Sequence, residues 1–152
     1  MKQNMRICLL FAVIFCVIEI SFAQTKGKPA EPVAADQRIE SSAAYAEVLF
    51  RKTELEAEIE SLLFAYNDVY PTVKDARAEL KLLQAEIDRL RSIKPVDAGK
   101  LTLALGKLIL GKVSHLANLT KLQMQYQDGH PSVKKEKRVV EIYEAAIKEI
   151  LN

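Results

Sequence analysis

Cysteine is scarce, tryptophan is absent and histidine occurs only as His115 and His130. Both cysteines, Cys8 and Cys16, lie within the first 23 residues, a stretch that reads as an export signal. An exported chain without cysteine has no disulfide, no thiol nucleophile and no Cys-ligated metal, so its core alone must hold it together. Two isolated histidines do not complete a metal site. The sequence has no glycine-rich phosphate loop, no zinc-ligand spacing and no nucleophile elbow. A charge excess is missing too: 22 basic residues face 20 acidic ones. Near-neutrality excludes nucleic acid as a partner, because phosphate binding needs a strongly basic surface. Aromatics make up 7% of the chain, which leaves Leu, Ile, Val and Ala to build a core of packed helices. These absences predict a protein that is not an enzyme and carries no cofactor or metal.

What is present begins with an address. Lys2 and Arg6 form a basic start. Ile7 to Phe22 is apolar apart from Cys16, Glu19 and Ser21, and Ser21-Phe22-Ala23 is a small-x-small cleavage signal. The pattern predicts a signal peptide over 1–23, cleaved after Ala23, and a periplasmic or secreted location. The alternative is an uncleaved anchor, disfavoured by the shortness of the stretch and by Glu19. Membrane contact is expected only in that alternative. Cleavage removes Lys2, Arg6 and Glu19 and leaves a net charge of +1. Residues 24–40 hold Gly27, Pro29 and Pro32 among Lys, Glu and Ala, which predicts a flexible tether.

The remainder contains one segment twice. Tyr66-Asn67-Asp68-Val69-Tyr70-Pro71-Thr72-Val73-Lys74 returns 60 residues later as Tyr126-Gln127-Asp128-Gly129-His130-Pro131-Ser132-Val133-Lys134. The offset holds without a gap from Ala46/Gly106 to Ser92/Asn152. Repetition at this period signals a duplicated supersecondary unit.

Within each copy the apolar period is helical. Ser41 or Ser42 is a competent N-cap. Val48, Lys52, Leu55, Ile59, Leu62, Tyr66 and Val69 then follow a 4-3 spacing, apolar except at Lys52, the seam of a coiled coil. Glu54, Glu56, Glu58 and Glu60 lie off the seam and predict a solvated face. Pro71 is unsuited to a helix interior but suited to the first position of a new helix. Tyr70 before it is pushed out of the α region, and Asp68 is expected to bond backbone N–H groups in the turn. A second stripe follows at Val73, Ala76, Leu80, Leu83, Ile87 and Leu90. The pattern predicts helix, reversal, helix, against the alternative of one helix kinked at the proline. Gly129 in the second copy, free to take a left-handed conformation, favours reversal.

Residues 94–99 read as a loop between the copies. Helix three is expected from about Lys100 to Gln127, with a broader stripe that includes Leu105, Ile109, Val113, Leu116 and Tyr126. Gly106 and Gly111 each weaken it by about 1 kcal/mol relative to Ala, offset if another backbone approaches there. Helix four runs from Pro131 to the end, with Val133, Val140, Tyr143, Ile147 and Ile150 on its seam.

The expected fold is all-α. Two tandem antiparallel helical hairpins, at 41–93 and 100–152, make four long helices running up, down, up, down in a coiled-coil-like bundle. Both turns fall at one end. The hairpins pack on each other or on a second chain. Charge favours the first: residues 46–66 carry five acids and two bases, whereas residues 106–126 carry Lys107, Lys112 and Lys121 and no acid. Opposite charges influence which helices pair. The same asymmetry would serve head-to-tail assembly between chains.

The candidate site residues are the two turns. Tyr66, Asp68, Pro71 and Val73, with Tyr126, Asp128, His130, Pro131 and Val133, are read as a structural motif. Tyr66 and Tyr126 end their seams and are expected to lock the reversals, so that Tyr66→Ala costs a few kcal/mol. His130 is expected to cap and pack its turn, and His115 to be a half-buried helix histidine. Asp68 and Asp128 form no catalytic pair unless the turns touch. Lys134, Lys135, Lys137 and Arg138 make a basic patch around Glu136, suited to anionic lipid or acidic glycan, or else ordinary helix surface.

The spacing Leu62-x-x-x-Tyr66-x-Asp68-x-x-Pro71-x-Val73, and still more Leu122-x-x-x-Tyr126-x-Asp128-x-His130-Pro131-x-Val133, resembles the Leu…Tyr…His-Pro-x-Val signature of bacterial polysaccharide chain-length determinants (co-polymerases). In the first copy Tyr70 replaces the histidine. The resemblance covers the hairpins and not the family's second transmembrane helix, membrane-proximal segment or kinase domain. It implies a Gram-negative envelope location, a projecting helical hairpin and a tendency to assemble. The expected function is a non-enzymatic, exported helical interaction or scaffold module of the cell envelope. Its partner would be a protein, possibly a second copy, met through helix faces or hairpin tips. The alternatives are an accessory to envelope polysaccharide chain-length control or export, and a periplasmic holdase-type chaperone with an apolar groove between the hairpins.

Overall fold

The structure, a computed structural model, describes residues 39–152. The signal peptide expected at 1–23, and the expected tether as far as residue 38, lie outside the described residues. The described chain is all-α. It comprises α1 (Ala43–Leu63), α2 (Pro71–Arg91), a 3-10 helix (Pro95–Lys100), α3 (Leu103–Gln125) and α4 (Pro131–Leu151).

Each helix start has a local cause. The Ser42 hydroxyl accepts the Tyr45 N–H at 3.3 Å, and the Thr102 hydroxyl accepts the Leu105 N–H at 3.3 Å. Each satisfies a backbone donor that the helix leaves without a partner. Pro71 and Pro131 open α2 and α4, where a missing N–H forfeits no helical bond. Tyr70 and His130 before them are extended, as the proline ring requires.

The helix ends depart from the sequence pattern. α1 stops at Leu63 and α3 at Gln125, so Tyr66, Val69 and Tyr126 lie in the turns and not on the seams. The Ala65 and Tyr66 N–H groups both reach the Leu62 carbonyl, tightening the last turn of α1. The turns then close in the same way: Tyr70 N–H donates to Asn67 O at 3.1 Å, and His130 N–H to Gln127 O at 2.9 Å. Gly129 does not take a left-handed conformation. It stands where the first turn has Val69, and this closure needs no positive φ.

Three boundaries also shift. The expected loop at 94–99 is wound into the 3-10 helix. The Thr102 cap moves the start of α3 from Lys100 to Leu103. Ile39, assigned to the tether, is buried in the core, and its carbonyl accepts from the Ser42 N–H and hydroxyl.

Ion pairs show the helix directions. Arg51 of α1 meets Glu79 of α2 at 3.0 Å, and the Arg91 guanidinium donates to the Tyr45 hydroxyl at 2.7 Å, so α2 runs back along α1. Lys121 of α3 meets Asp75 at 3.0 Å and Lys112 meets Glu86 at 2.8 Å, so α3 is antiparallel to α2 and parallel to α1. His115 of α3 contacts Glu136 of α4 at 2.7 Å, and Lys100 reaches the Leu151 carbonyl at 2.8 Å, so α4 runs back along α3. α3 packs against all three other helices. Leu55, Leu83, Ile87, Leu90, Leu105 and Val113 are fully buried between them. Burial of side chains of this size, at about 25 cal/mol per Å² of apolar surface, is the main force holding such a bundle.

Charge does not join α1 to α3. Among the described residues no ion pair links them; the α3 lysines pair with α2 instead. Small residues make the contact. A Cβ on Gly106 would lie 2.9 Å from Glu47 Cβ and 3.1 Å from Ala44 Cα. Only glycine lets the α3 backbone come this close, and beside it the Ala44 N–H donates to the Leu101 carbonyl at 3.1 Å. Gly111 makes room for a ring instead of a backbone: Tyr143 of α4 lies over it.

Candidate functional site

Because α1 and α3 are parallel, the turns at 64–70 and 126–130 lie at the same end of the bundle. In each, the first aromatic folds back onto the residue before the proline. Tyr66 stacks on Tyr70 with ring centroids 4.0 Å apart, and Tyr126 on His130 at 4.1 Å. Nearly parallel aromatic rings at this separation contribute about 0.5–1.5 kcal/mol beyond buried area. Tyr66 and Tyr126 are 44% and 43% exposed, so they brace the turns from outside and do not seal the seam. Val73 and Val133, in the first turns of α2 and α4, are fully buried.

The aspartates do not bond the turn backbone. Asp68 pairs with Arg77. Asp128 accepts from Gln123 at 3.1 Å and pairs with Lys137 at 3.0 Å. The Gln123 hydrogen bond first, then the Lys137 hydrogen bond and charge, lower the Asp128 carboxyl below its ordinary value. Each aspartate ties a turn to the helix that follows it. The His130 Nδ1 accepts the Ser132 N–H at 3.2 Å, so this histidine caps α4. Asp68 and Asp128 have separate cationic partners and form no carboxylate pair.

The basic patch is divided. Lys137 is held by Asp128, and Arg138 pairs with Glu141 at 2.8 Å. Glu136 turns inward to His115. Lys134 and Lys135 are exposed, with no carboxylate partner among the described residues.

Two features were not evident from the sequence pattern. Phe64 is 93% exposed and Met124 is 73% exposed. They stand 60 residues apart at equivalent places, each at or next to the end of its helix, beside exposed Val69. Their apolar character on the outer side of both seams was the available signal. At the opposite end, a groove of about 350 Å³ is lined by Leu90, Ile93, Ile109, Ile147 and Leu151 together with the Lys112–Glu86 pair. This ion pair is interior. Its side chains are 4% and 8% exposed, and Glu86 also accepts from Arg89 at 2.9 Å.

Among the described residues, no group of three or more His, Cys, Asp or Glu side chains is placed to hold a metal ion. Nor is any helix among them long and apolar enough to cross a membrane. No protein-family model, characterised protein or solved structure matches the chain.

Proposed function

We propose that the chain is a non-enzymatic, exported helical scaffold of the bacterial cell envelope that docks through its outer helix faces, with a second copy as its first partner. The supporting observation is a pair of outward faces of opposite charge, each with a large exposed apolar residue. On α1, Phe50 is 64% exposed and is followed at i+4 and i+8 by exposed Glu54 and Glu58. On α4, Ile142 is 56% exposed and is preceded at i−4 and i−8 by exposed Arg138 and Lys134. Residues spaced this way share a helix face. Different faces that complement each other form head-to-tail contacts, which close into rings or extend as chains. Light scattering across protein concentration and salt tests this reading. Association that weakens as salt rises supports it, since salt screens exposed charges. A monomer at every concentration contradicts it.

The apolar groove favours a second reading, a holdase-type chaperone. Its volume and aliphatic lining suit an unfolded apolar segment. Suppression of aggregation of a heat-denatured client supports it, and loss of suppression on Ile93→Asp ties the effect to the groove.

A further inference from the structure

We infer that the turn end of the bundle is a docking surface for anionic lipid. The inference rests on the docking-module reading and specifies what this end meets. Three observations carry it.

The first is apolar exposure at equivalent places. Phe64 and Met124 point almost wholly into solvent, and Val69 is exposed beside them. Neither Phe64 nor Met124 contributes to the core. Contiguous exposed apolar groups mark a surface that meets something else.

The second is level. Ala44 and Gly106 touch where α1 and α3 pack. Phe64 lies 20 residues beyond Ala44, and Met124 lies 18 residues beyond Gly106. At 1.5 Å per residue these are rises of roughly 30 and 27 Å along parallel helices. The two side chains therefore reach nearly one plane, which suits a flat partner.

The third is the ring of polar groups around them. Residues 60–77 and 120–138 together hold seven cations and five acids. Asp68, Asp75 and Asp128 are each held by a cation of this same end, and Glu136 is turned to His115. Lys74, Lys134 and Lys135 are exposed with no carboxylate partner among the described residues. Lys74 and Lys134 are again equivalent positions, 60 apart. Tyr66, Tyr70 and Tyr126 stand half-exposed between the lysines and the apolar tips. Apolar anchors, a belt of tyrosine and unpaired lysine is the arrangement that seats a protein at a negatively charged bilayer surface. The contact is peripheral and independent of whether the N-terminal segment is cleaved.

The chain has no tryptophan, so a single introduced one reports its own surroundings. Phe64→Trp, Met124→Trp and, as a control at the opposite end, Val96→Trp are prepared in the full chain. Each is mixed with vesicles of phosphatidylcholine alone or with phosphatidylglycerol added. The inference predicts a blue-shifted emission, quenched by brominated lipid, for Phe64→Trp and Met124→Trp with anionic vesicles, and no shift for Val96→Trp. Replacing Lys74, Lys134 and Lys135 with Gln should weaken that response about a hundredfold, at roughly one tenfold step or slightly less per lysine. Three results would overturn it: no shift with anionic vesicles, an equal shift with uncharged ones, or a shift produced only by raising protein concentration, which would assign this end to a second copy. A chain that still self-associates while its tips ignore lipid leaves the scaffold reading intact. A monomer whose tips insert does the reverse.

Discussion

Lys112 of α3 and Glu86 of α2 form a 2.8 Å ion pair in the interior, with Arg89 sharing the same carboxylate oxygen from the surface side. Removing one member of a buried pair strands the other, which costs about 3–5 kcal/mol, whereas replacing both with apolar residues is close to neutral. The two ends are not equivalent. Lys112→Met leaves Glu86 bonded to Arg89, but Glu86→Leu leaves a buried ammonium. Urea denaturation should rank Glu86→Leu as the more damaging change, and the double variant Lys112→Met/Glu86→Leu should recover most of the loss.

Gly106 governs the approach of α1 and α3. Gly106→Ala gains about 1 kcal/mol of helix propensity but places a methyl group 2.9–3.2 Å from Glu47 and Ala44. Two of those contacts are with backbone atoms, which yield less readily than a side chain. Overpacking of this kind costs about 1–3 kcal/mol. A lower midpoint in thermal unfolding is expected for Gly106→Ala, and no comparable loss for Gly99→Ala, where the added atom meets nothing within 4 Å.

The stacked rings set the cost of opening the turns. With Tyr66 and Tyr126 more than 40% exposed, Tyr66→Ala should lower stability by about 1–2 kcal/mol, the stack plus the buried part of the ring. This is less than a fully buried aromatic would lose. Tyr66→Phe should be nearly silent, because the stack needs the ring and not the hydroxyl. Differential scanning calorimetry of the three proteins distinguishes these outcomes.

Asp128 links the second turn to acid stability. Its carboxyl is lowered in the folded chain, so the stabilisation is complete above the ordinary value of 3.8 and disappears as pH falls through the lowered folded value. Lys137→Met should move the carboxyl back toward its ordinary value. Carboxyl carbon chemical shifts against pH, recorded for both proteins, measure this directly. An Asp128 titration unchanged by Lys137→Met would refute the assignment.

The helical class was legible because Val48, Leu55 and Ile59, then Leu83, Ile87 and Leu90, repeat at helical spacing and are all buried. The starts of α2 and α4 were legible because proline's stereochemistry is local. The helix ends were less so. Tyr66 and Val69 continue the apolar spacing of α1, but ring stacking and turn closure, which involve specific partners, take them out of the helix. The burial of Lys112 was hidden because a lysine looks solvent-facing until Glu86 on another helix is known to meet it. Its repeat counterpart Lys52 pairs with Glu56 on its own helix. The outward Phe64 and Met124 lie off the seams, and a pattern search that counts only seam positions passes over them.

The central claim is that this chain works through surfaces and that the core only holds them in place. Sedimentation equilibrium of the wild type and of Phe50→Ser/Ile142→Ser tests it most directly. Both substituted side chains are largely exposed, so stability should change by no more than about 0.5 kcal/mol each. The prediction is an associating wild type and a double variant of unchanged melting temperature that stays monomeric. A wild type and variant with the same association constant would contradict it.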